Sequence, residues 1–212
     1  EAIGAWCRAR GIYLVVDCAQ SLGVMPMDVR RYQIDFLAGL ASKWLLGPFS
    51  TGFLYVRREL IGRLLPPFVG ADSVKGDVDS VAYRLDLKDD ASRFEGGLPN
   101  APGIAGLNAS LALMEEVGFD RIHQQARQVS GYLICGLQRL GAQLAPCALS
   151  DRTRSTIVSF QAPELERTYR FLRENRIACS MRCGYIRMGI HGYNTVEEAE
   201  QVLAALKGFW GR

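Results

Sequence analysis

Histidine is scarce in this sequence, and the common phosphate- and metal-binding motifs are missing. Charge of either sign is nearly balanced, and no long apolar run occurs. Two histidines, His123 and His191, are too few for histidine-based triads or multi-histidine metal sites. There is no GxGxxG after the first strand, no GxxxxGKS/T, no HExxH and no GxSxG, so the usual dinucleotide, nucleotide, zinc-protease and α/β-hydrolase readings lose their signatures. Twenty-five basic residues against 22 acidic leave a formal charge of +3. That balance lacks the clustered basic footprint of a nucleic-acid binder. No apolar stretch approaches the roughly 20 residues of a membrane helix. The N-terminus, Glu1-Ala2-Ile3, shows neither a basic n-region nor a start methionine, so no signal peptide is visible and the chain is expected to begin inside a longer one.

An apolar share of 49% over 212 residues supports a sizeable core, in one domain or one domain with a smaller lobe. Six cysteines (Cys7, Cys18, Cys135, Cys147, Cys179, Cys183) are irregularly spaced and mostly set in apolar contexts. Reduced, buried thiols in a cytoplasmic protein are therefore expected. Cys179 and Cys183 lack CxxC spacing and have only His191 nearby, which argues against zinc.

The pattern along the chain predicts a helix over 2–9 stopped by Gly11, then a strand over 12–17. That run is apolar on both faces, as in a buried parallel strand. Further strands are expected over 34–38 and 52–56. Alternating helices and buried strands indicate an α/β layer architecture. Segment 66–102, rich in glycine, proline and charge, reads as the crossing between two lobes and a rim of the active site. Helices follow, one with Ile104, Leu107, Leu111, Met114 and Val117 on one face, the next with Ile122, Ala126, Val129, Leu133, Leu137 and Leu140. Strands over 156–160, 177–181 and 185–189 alternate with a helix over 165–174. A last helix opens on the capping box Thr195-Val196-Glu197-Glu198. The second half therefore reads as a small α+β lobe.

Two residues stand out chemically. Asp17 closes the first strand at its carboxyl end, where open α/β sheets bind ligands. It is either a turn-starting cap or a ligand carboxylate, and Gln20 is placed to sit beside it. Lys43 lies in the apolar stretch Ala41-Ser42-Lys43-Trp44-Leu45-Leu46. It is either a solvated surface charge or, stripped of hydration, an amine with a lowered pKa suited to Schiff-base chemistry. His123, between Ile122 and two glutamines, reads as a surface residue.

Val15-Val16-Asp17-Cys18-Ala19-Gln20, Asp35-Phe36, Ser42-Lys43-Trp44-Leu45-Leu46-Gly47-Pro48 and Thr51-Gly52-Phe53-Leu54-Tyr55-Val56-Arg57 follow one another in an order that resembles the class V aminotransferase family. Arg93-Phe94-Glu95-Gly96-Gly97-Leu98-Pro99-Asn100, and Ile186-Arg187 followed by Tyr193-Asn194-Thr195, extend the resemblance over nearly the whole chain. These are fold-type I enzymes dependent on pyridoxal 5′-phosphate, among them cysteine desulfurases, selenocysteine lyases and isopenicillin-N-epimerase-like proteins. The resemblance implies part of a large cofactor domain with a mostly parallel sheet over 1–100 and a small α+β domain over 101–212. It implies that Asp17 holds the protonated pyridine nitrogen and that Gln20 binds near the phenolic oxygen. Lys43 would form the Schiff base and shuttle protons, while Arg187, on a strand end, would clamp the substrate carboxylate. It also implies an amino-acid substrate and a homodimer.

Four departures from the family pattern matter. Ser42 stands where the family usually has His or another polar residue, and would contact the phosphate in its place. Leu98 replaces a hydroxyl that reaches the neighbouring subunit's phosphate. Segment 177–187 is too short for the extended cysteine-bearing loop of selenocysteine lyase-like desulfurases, which argues against a desulfurase, so Cys183 reads as a packed or rim thiol. The resemblance also places the phosphate-binding loop and the ring-stacking aromatic before Glu1. The expected function is a transformation of an amino acid through a lysine Schiff base: transamination, β-elimination or epimerisation. The alternatives are an inactive remnant serving as a structural or oligomerising module, and a nucleotide-binding α/β domain, which the missing glycine-rich loop disfavours.

Overall fold

A computed structural model describes residues 1–76, 85–151 and 153–211. The chain divides into two compact units, Glu1–Leu22 with Met27–Leu113, and Gly23–Pro26 with Met114–Arg212. In the first, helix α1 (Ala2–Arg8) leads through Gly11, at φ +65°, into strand β1 (Val15–Asp17). Strands β2 (Phe36–Leu40) and β3 (Gly52–Val56) complete a three-stranded sheet in the order β1-β2-β3. β1 runs parallel to β2 with Asp17 opposite Ala38, while β3 is antiparallel to β2 with Phe36 opposite Val56. Cys18, Ile34 and Leu37 form the buried centre, covered by Val16, Leu22 and Phe53. At the amino end of β2, the buried Asp35 accepts from the backbone of Leu14 at 2.8 Å and pairs with Arg57 Nε at 2.8 Å. That anchor ties the residues before β1 and β2 to the one after β3, and Arg8 stands 3.7 Å from the same carboxylate as a second cation.

Helix α2 (Arg58–Ile61) follows directly, and two 3-10 turns, Ala71–Ser73 and Ala91–Phe94, occupy the rim segment. Ser73 Oγ accepts from Gly70 N at 3.1 Å and donates to Glu95 O at 2.7 Å, stitching the two turns together. Part of the predicted loop over 66–102, residues 77–84, lies outside the described residues. Helix α3 (Ala101–Val117) starts at the end of this segment, and the division between the units runs through it.

The second unit contains helices α4 (Phe119–Arg139), α5 (Leu165–Glu174) and α6 (Val196–Trp210). Its antiparallel sheet has the order β4-β5-β7-β6, made from β4 (Gln143–Leu144), β5 (Ile157–Gln161), β6 (Ser180–Arg182) and β7 (Tyr185–Gly189). The heptad-like face of α4 is buried at Ile122, Ala126, Val129, Leu133 and Leu137, as its spacing predicts. Of these, Val129, Leu133 and Leu137 meet Val158 and Phe160 of β5, Ile186 and Met188 of β7, and Leu206 of α6 in one core.

Several expectations need correcting. The first strand begins only at Val15, which is 69% exposed, and β1 forms a rim of its sheet rather than a buried interior strand. β6 starts at Ser180, because residues after α5 are first spent on a turn through Arg176 at φ +60°. On α3, Met114 is buried, but Ile104 and Val117 are exposed. The cysteines are all free thiols as expected, yet Cys135, Cys147 and Cys183 are exposed rather than buried. His123 is half-buried; its Nδ1 lies 2.9 Å from Val24 O, and since a carbonyl only accepts, that nitrogen carries the proton.

The capping box of α6 forms as predicted. Glu198 N donates to Thr195 Oγ1 at 3.3 Å, and Thr195 N donates back to the Glu198 carboxylate at 3.0 Å. Thr195→Ala is expected to cost about 1 kcal/mol in denaturant unfolding. The Asn194 side chain, with the Thr195 amide second, holds the Glu198 carboxyl below the ordinary glutamate value. A lowered carboxylate pKa stabilises the fold above that ordinary value and loses the contribution as pH falls through the lowered one. The penalty of Glu198→Ala, which removes the carboxylate itself, should therefore shrink in acid; a penalty that stays constant down to pH 3 would contradict the carboxylate's part in the cap.

Candidate active site

Because β1 and β2 are parallel, their carboxyl ends open at the same edge of the sheet. The chain leaves β1 through a tight turn in which Ala19 N donates to Asp17 Oδ1 at 2.8 Å. This Asx-type bond fixes the carboxylate at the strand end. Asp17 is exposed, so the carboxylate that the sequence assigned to a buried strand stands on an open rim. Cys18, next to it, points the other way. Its thiol donates to Ala38 O at 3.1 Å, and burial pushes its pKa up, so it is a packing group and not a nucleophile.

The chain leaves β2 through a turn over residues 41–50. Ala41 and Leu45 are buried within it, and Ala41 O accepts from Gly47 N at 2.8 Å. Leu46 and Ser50 take positive φ values of 56° and 58°, which tightens the turn. With Ala41 and Leu45 held inward, Ser42 is half-buried and Lys43 is exposed. The expectation that apolar neighbours strip the hydration of Lys43 is thereby corrected: those neighbours serve to face it outward. At the far end of the turn, Asn100 Nδ2 donates to Thr51 Oγ1 at 3.2 Å while Asn100 Oδ1 caps Gly103 N at 3.1 Å. This brace fastens the start of α3 to the strand that follows the lysine turn.

One hydrogen bond joins the two turns. Trp44 Nε1 donates to Gln20 Oε1 at 3.1 Å. Gln20 follows Asp17 by three residues and Trp44 adjoins Lys43, so the segments bearing the carboxylate and the amine meet at one edge of the sheet. The sequence pattern contains Trp44 but assigns it no part. An indole N–H beside a lysine is a visible signal, though its partner emerges only from the fold. Arg187 belongs to the second unit. It stands at the middle of β7 between Ser159 and Ser180, not at a strand end, and lies half-buried on the face opposite Ile186 and Met188. The β6–β7 connection is a two-residue turn, Cys183-Gly184, with φ values of 50° and 80° that fit a type I′ hairpin. Leu98 is 99% exposed.

A strand-end carboxylate, an amide and an outward lysine on adjoining turns of an α/β sheet are the donor and acceptor set that a pyridinium ring with an aldehyde requires. The sheet that carries them has the fold of the fold-type I pyridoxal-phosphate enzymes. The chain belongs to the aminotransferase class-V family, whose model matches residues 1–202. The cofactor of this family is pyridoxal 5′-phosphate.

A probable cysteine desulfurase of Pyrococcus abyssi is 32% identical, covering 98% of this chain and 54% of that protein. The aminotransferase YcbU of Bacillus subtilis, itself uncharacterised, is 28% identical over 96% of this chain and 53% of its own length. Among solved structures, apo cysteine desulfurase from Thermococcus onnurineus superposes with a TM-score of 0.87 at 28% identity, covering 98% of this chain and 55% of that one. A mutant of the C-DES protein, with glycine covalently linked to its pyridoxal-phosphate cofactor, gives 0.86 at 29% identity over 96% of this chain and 55% of its own. The chain thus spans about half the length of the relatives it matches.

Proposed function

We propose that this chain carries the lysine-bearing part of a pyridoxal-phosphate site that acts on an amino acid, with cleavage of a carbon–sulfur bond at Cβ as the favoured reaction. The Gln20–Trp44 hydrogen bond carries the reading, because it puts the Asp17 and Lys43 turns side by side. The choice of reaction is supported by relatives named as cysteine desulfurases and by a structural neighbour described as a cystine C–S lyase in complex with cysteine persulfide. Transamination and epimerisation share the first step, loss of the Cα proton, and differ later.

When bound, the cofactor supplies an electron sink for charge developing at the substrate Cα. The Asp17 carboxylate would hold the ring nitrogen in its protonated form, whose positive charge makes that sink effective. Its second oxygen is available for this, since the Ala19 amide takes the first. Lys43 Nζ would hold the cofactor covalently and would serve as the base that takes up and returns the Cα proton. Ser42 would add a hydroxyl to the phosphate, and the family pattern gives Arg187 the part of a bidentate guanidinium for the substrate carboxylate. In this reading residues 1–100 are the cofactor-domain part and 101–212 the small domain. The working state is a cytoplasmic homodimer, a reading supported by the family pattern and by the free thiols.

Adding pyridoxal 5′-phosphate to the purified chain tests the proposal. The expected result is a visible band beyond that of the free cofactor, with borohydride reduction placing the label on the peptide that contains Lys43. A spectrum identical to free cofactor would instead favour a structural or oligomerising module.

A further inference from the structure

A primary amide presents two chemically opposite ends, a carbonyl that accepts and an NH2 that donates. Which end faces a ligand depends on what holds the other. At Gln20 the holder is Trp44, whose indole Nε1 lies 3.1 Å from Oε1. An indole N–H is a donor with no acceptor capacity, so only the carbonyl end of Gln20 can meet it. The bond therefore fixes the polarity of the amide as well as its place.

We propose that Trp44 is a positioning residue: by holding the Gln20 carbonyl, it leaves the Gln20 NH2 as the end offered to the cofactor's ring oxygen and so favours the anionic form of that oxygen. The inference rests on the pyridoxal-phosphate reading given above. Its distinct content is that the turn bearing Lys43 supplies the amine and, one residue on, the group that sets the electrostatics the amine will meet.

The local structure gives Trp44 the rigidity for this role. Leu45 is buried beside it and its carbonyl accepts from Ser110 Oγ, while Lys43 O accepts from Leu46 N at 3.2 Å. Trp44 is itself half-buried. Gln20 in turn follows a carboxylate already tied to its own turn through Ala19. Two fixed turns joined through a donor-only group leave the amide one orientation. A hydrogen bond to the charged form of a group favours that form, so donation from NH2 lowers the pKa of the proton shared between the lysine nitrogen and the ring oxygen.

The test uses the full chain loaded with pyridoxal 5′-phosphate and reads the pH midpoint of its visible band, together with the dissociation constant of the cofactor. Trp44→Phe keeps the ring and deletes the N–H. It is expected to raise the midpoint by roughly half to one pH unit and to weaken cofactor binding about three- to tenfold, the range of one neutral hydrogen bond. Gln20→Glu leaves Trp44 intact and still accepts from its indole, but turns an oxygen toward the ring oxygen; a larger upward shift is expected. Gln20→Leu should matter much less in the Trp44→Phe background than in the native one, since the two act as one unit.

A Trp44 that merely packs would leave the midpoint unmoved in Trp44→Phe and make the effects of the two substitutions additive. Either result overturns the proposal. Loss of folding in Trp44→Phe, seen in its thermal unfolding, would shift the decision to Gln20→Glu, whose unchanged midpoint would overturn it equally. A native chain that forms no Lys43-dependent band would bring down the underlying reading along with this one, and that outcome is recognised before any variant at position 44 is made.

Discussion

Lys43→Ala is expected to remove the visible band of the cofactor-loaded chain completely, whereas Lys207→Ala leaves its intensity unchanged. The chain has four lysines, at positions 43, 75, 88 and 207, and free pyridoxal phosphate condenses slowly with any neutral surface amine. Selectivity must therefore come from structure. Lys75 is disfavoured because its ammonium lies 2.7 Å from Asp89 and 3.8 Å from Asp86. The hydrogen bond with Asp89 holds its pKa above the ordinary value and so keeps it protonated. Lys88 and Lys207 have no strand-end carboxylate placed beside them by a bond between turns. Lys43 does, through Gln20 and Trp44. In the proposed reading, a ring partner at Asp17 would raise the local concentration of aldehyde at one amine, so the expected difference is one of presence against absence. Absorbance after gel filtration, which strips loosely bound cofactor, gives the comparison directly. Equal bands in native chain and Lys43→Ala would show that the lysine turn is not the attachment point.

Phe160→Ala is expected to destabilise the second unit by about 3–5 kcal/mol, the usual cost of deleting a fully buried aromatic ring. Phe160 is 0% exposed and sits on β5, edge-on to Trp210 with ring centroids 6.2 Å apart. Leu137 from α4, Leu172 from α5, Ile186 from β7 and Leu206 from α6 share the same core, so four elements converge where the ring would be lost. Typical domains have about 5–15 kcal/mol of total stability, which makes this a large fraction. Trp210 reports on it conveniently, since its indole donates to Thr168 Oγ1 at 3.2 Å and will change emission when the core opens. Gln161→Ala, one residue along the same strand and exposed, should shift the denaturation midpoint by an amount within about 0.5 kcal/mol. Similar losses for both would mean that β5 does not present Phe160 to a packed interior.

How far the sequence could be read depended on whether the cover for an apolar face lies within the same unit. The pattern of α4 was legible because its residues from Ile122 to Leu137 at spacings of three and four are buried, and Val129, Leu133 and Leu137 share a core with β5, β7 and α6. β7 and the α6 cap were legible for local reasons: alternation around Ile186 and Met188, and the reciprocal bonds of Thr195 and Glu198. The run over 12–16 promised burial that β1 does not receive, because an apolar strand reports what it could cover and not what lies on it. The stripe on α3 fails the same way at Ile104 and Val117. For the site, the order of Asp17, Gln20 and Lys43 along the chain was enough to place them at successive strand ends. The Trp44 bond was not legible, since it spans 24 residues and depends on how two turns approach. Arg187 shows the opposite limit: the sequence pattern gives it a role, while β7 sets only which face of its own sheet it occupies.

The outer side of β1 carries the remaining consequence. Val15 leaves its apolar side chain in solvent, and among the described residues β1 is hydrogen-bonded to β2 on one flank only. Natural proteins blunt such borders with lysine, proline or a bulge, and the sequence Tyr13-Leu14-Val15-Val16 offers none of them. A free backbone ladder with aliphatic side chains is a ready template for another extended segment. The isolated chain is therefore expected to associate through this border, where Asp17 is the one charge that β1 carries.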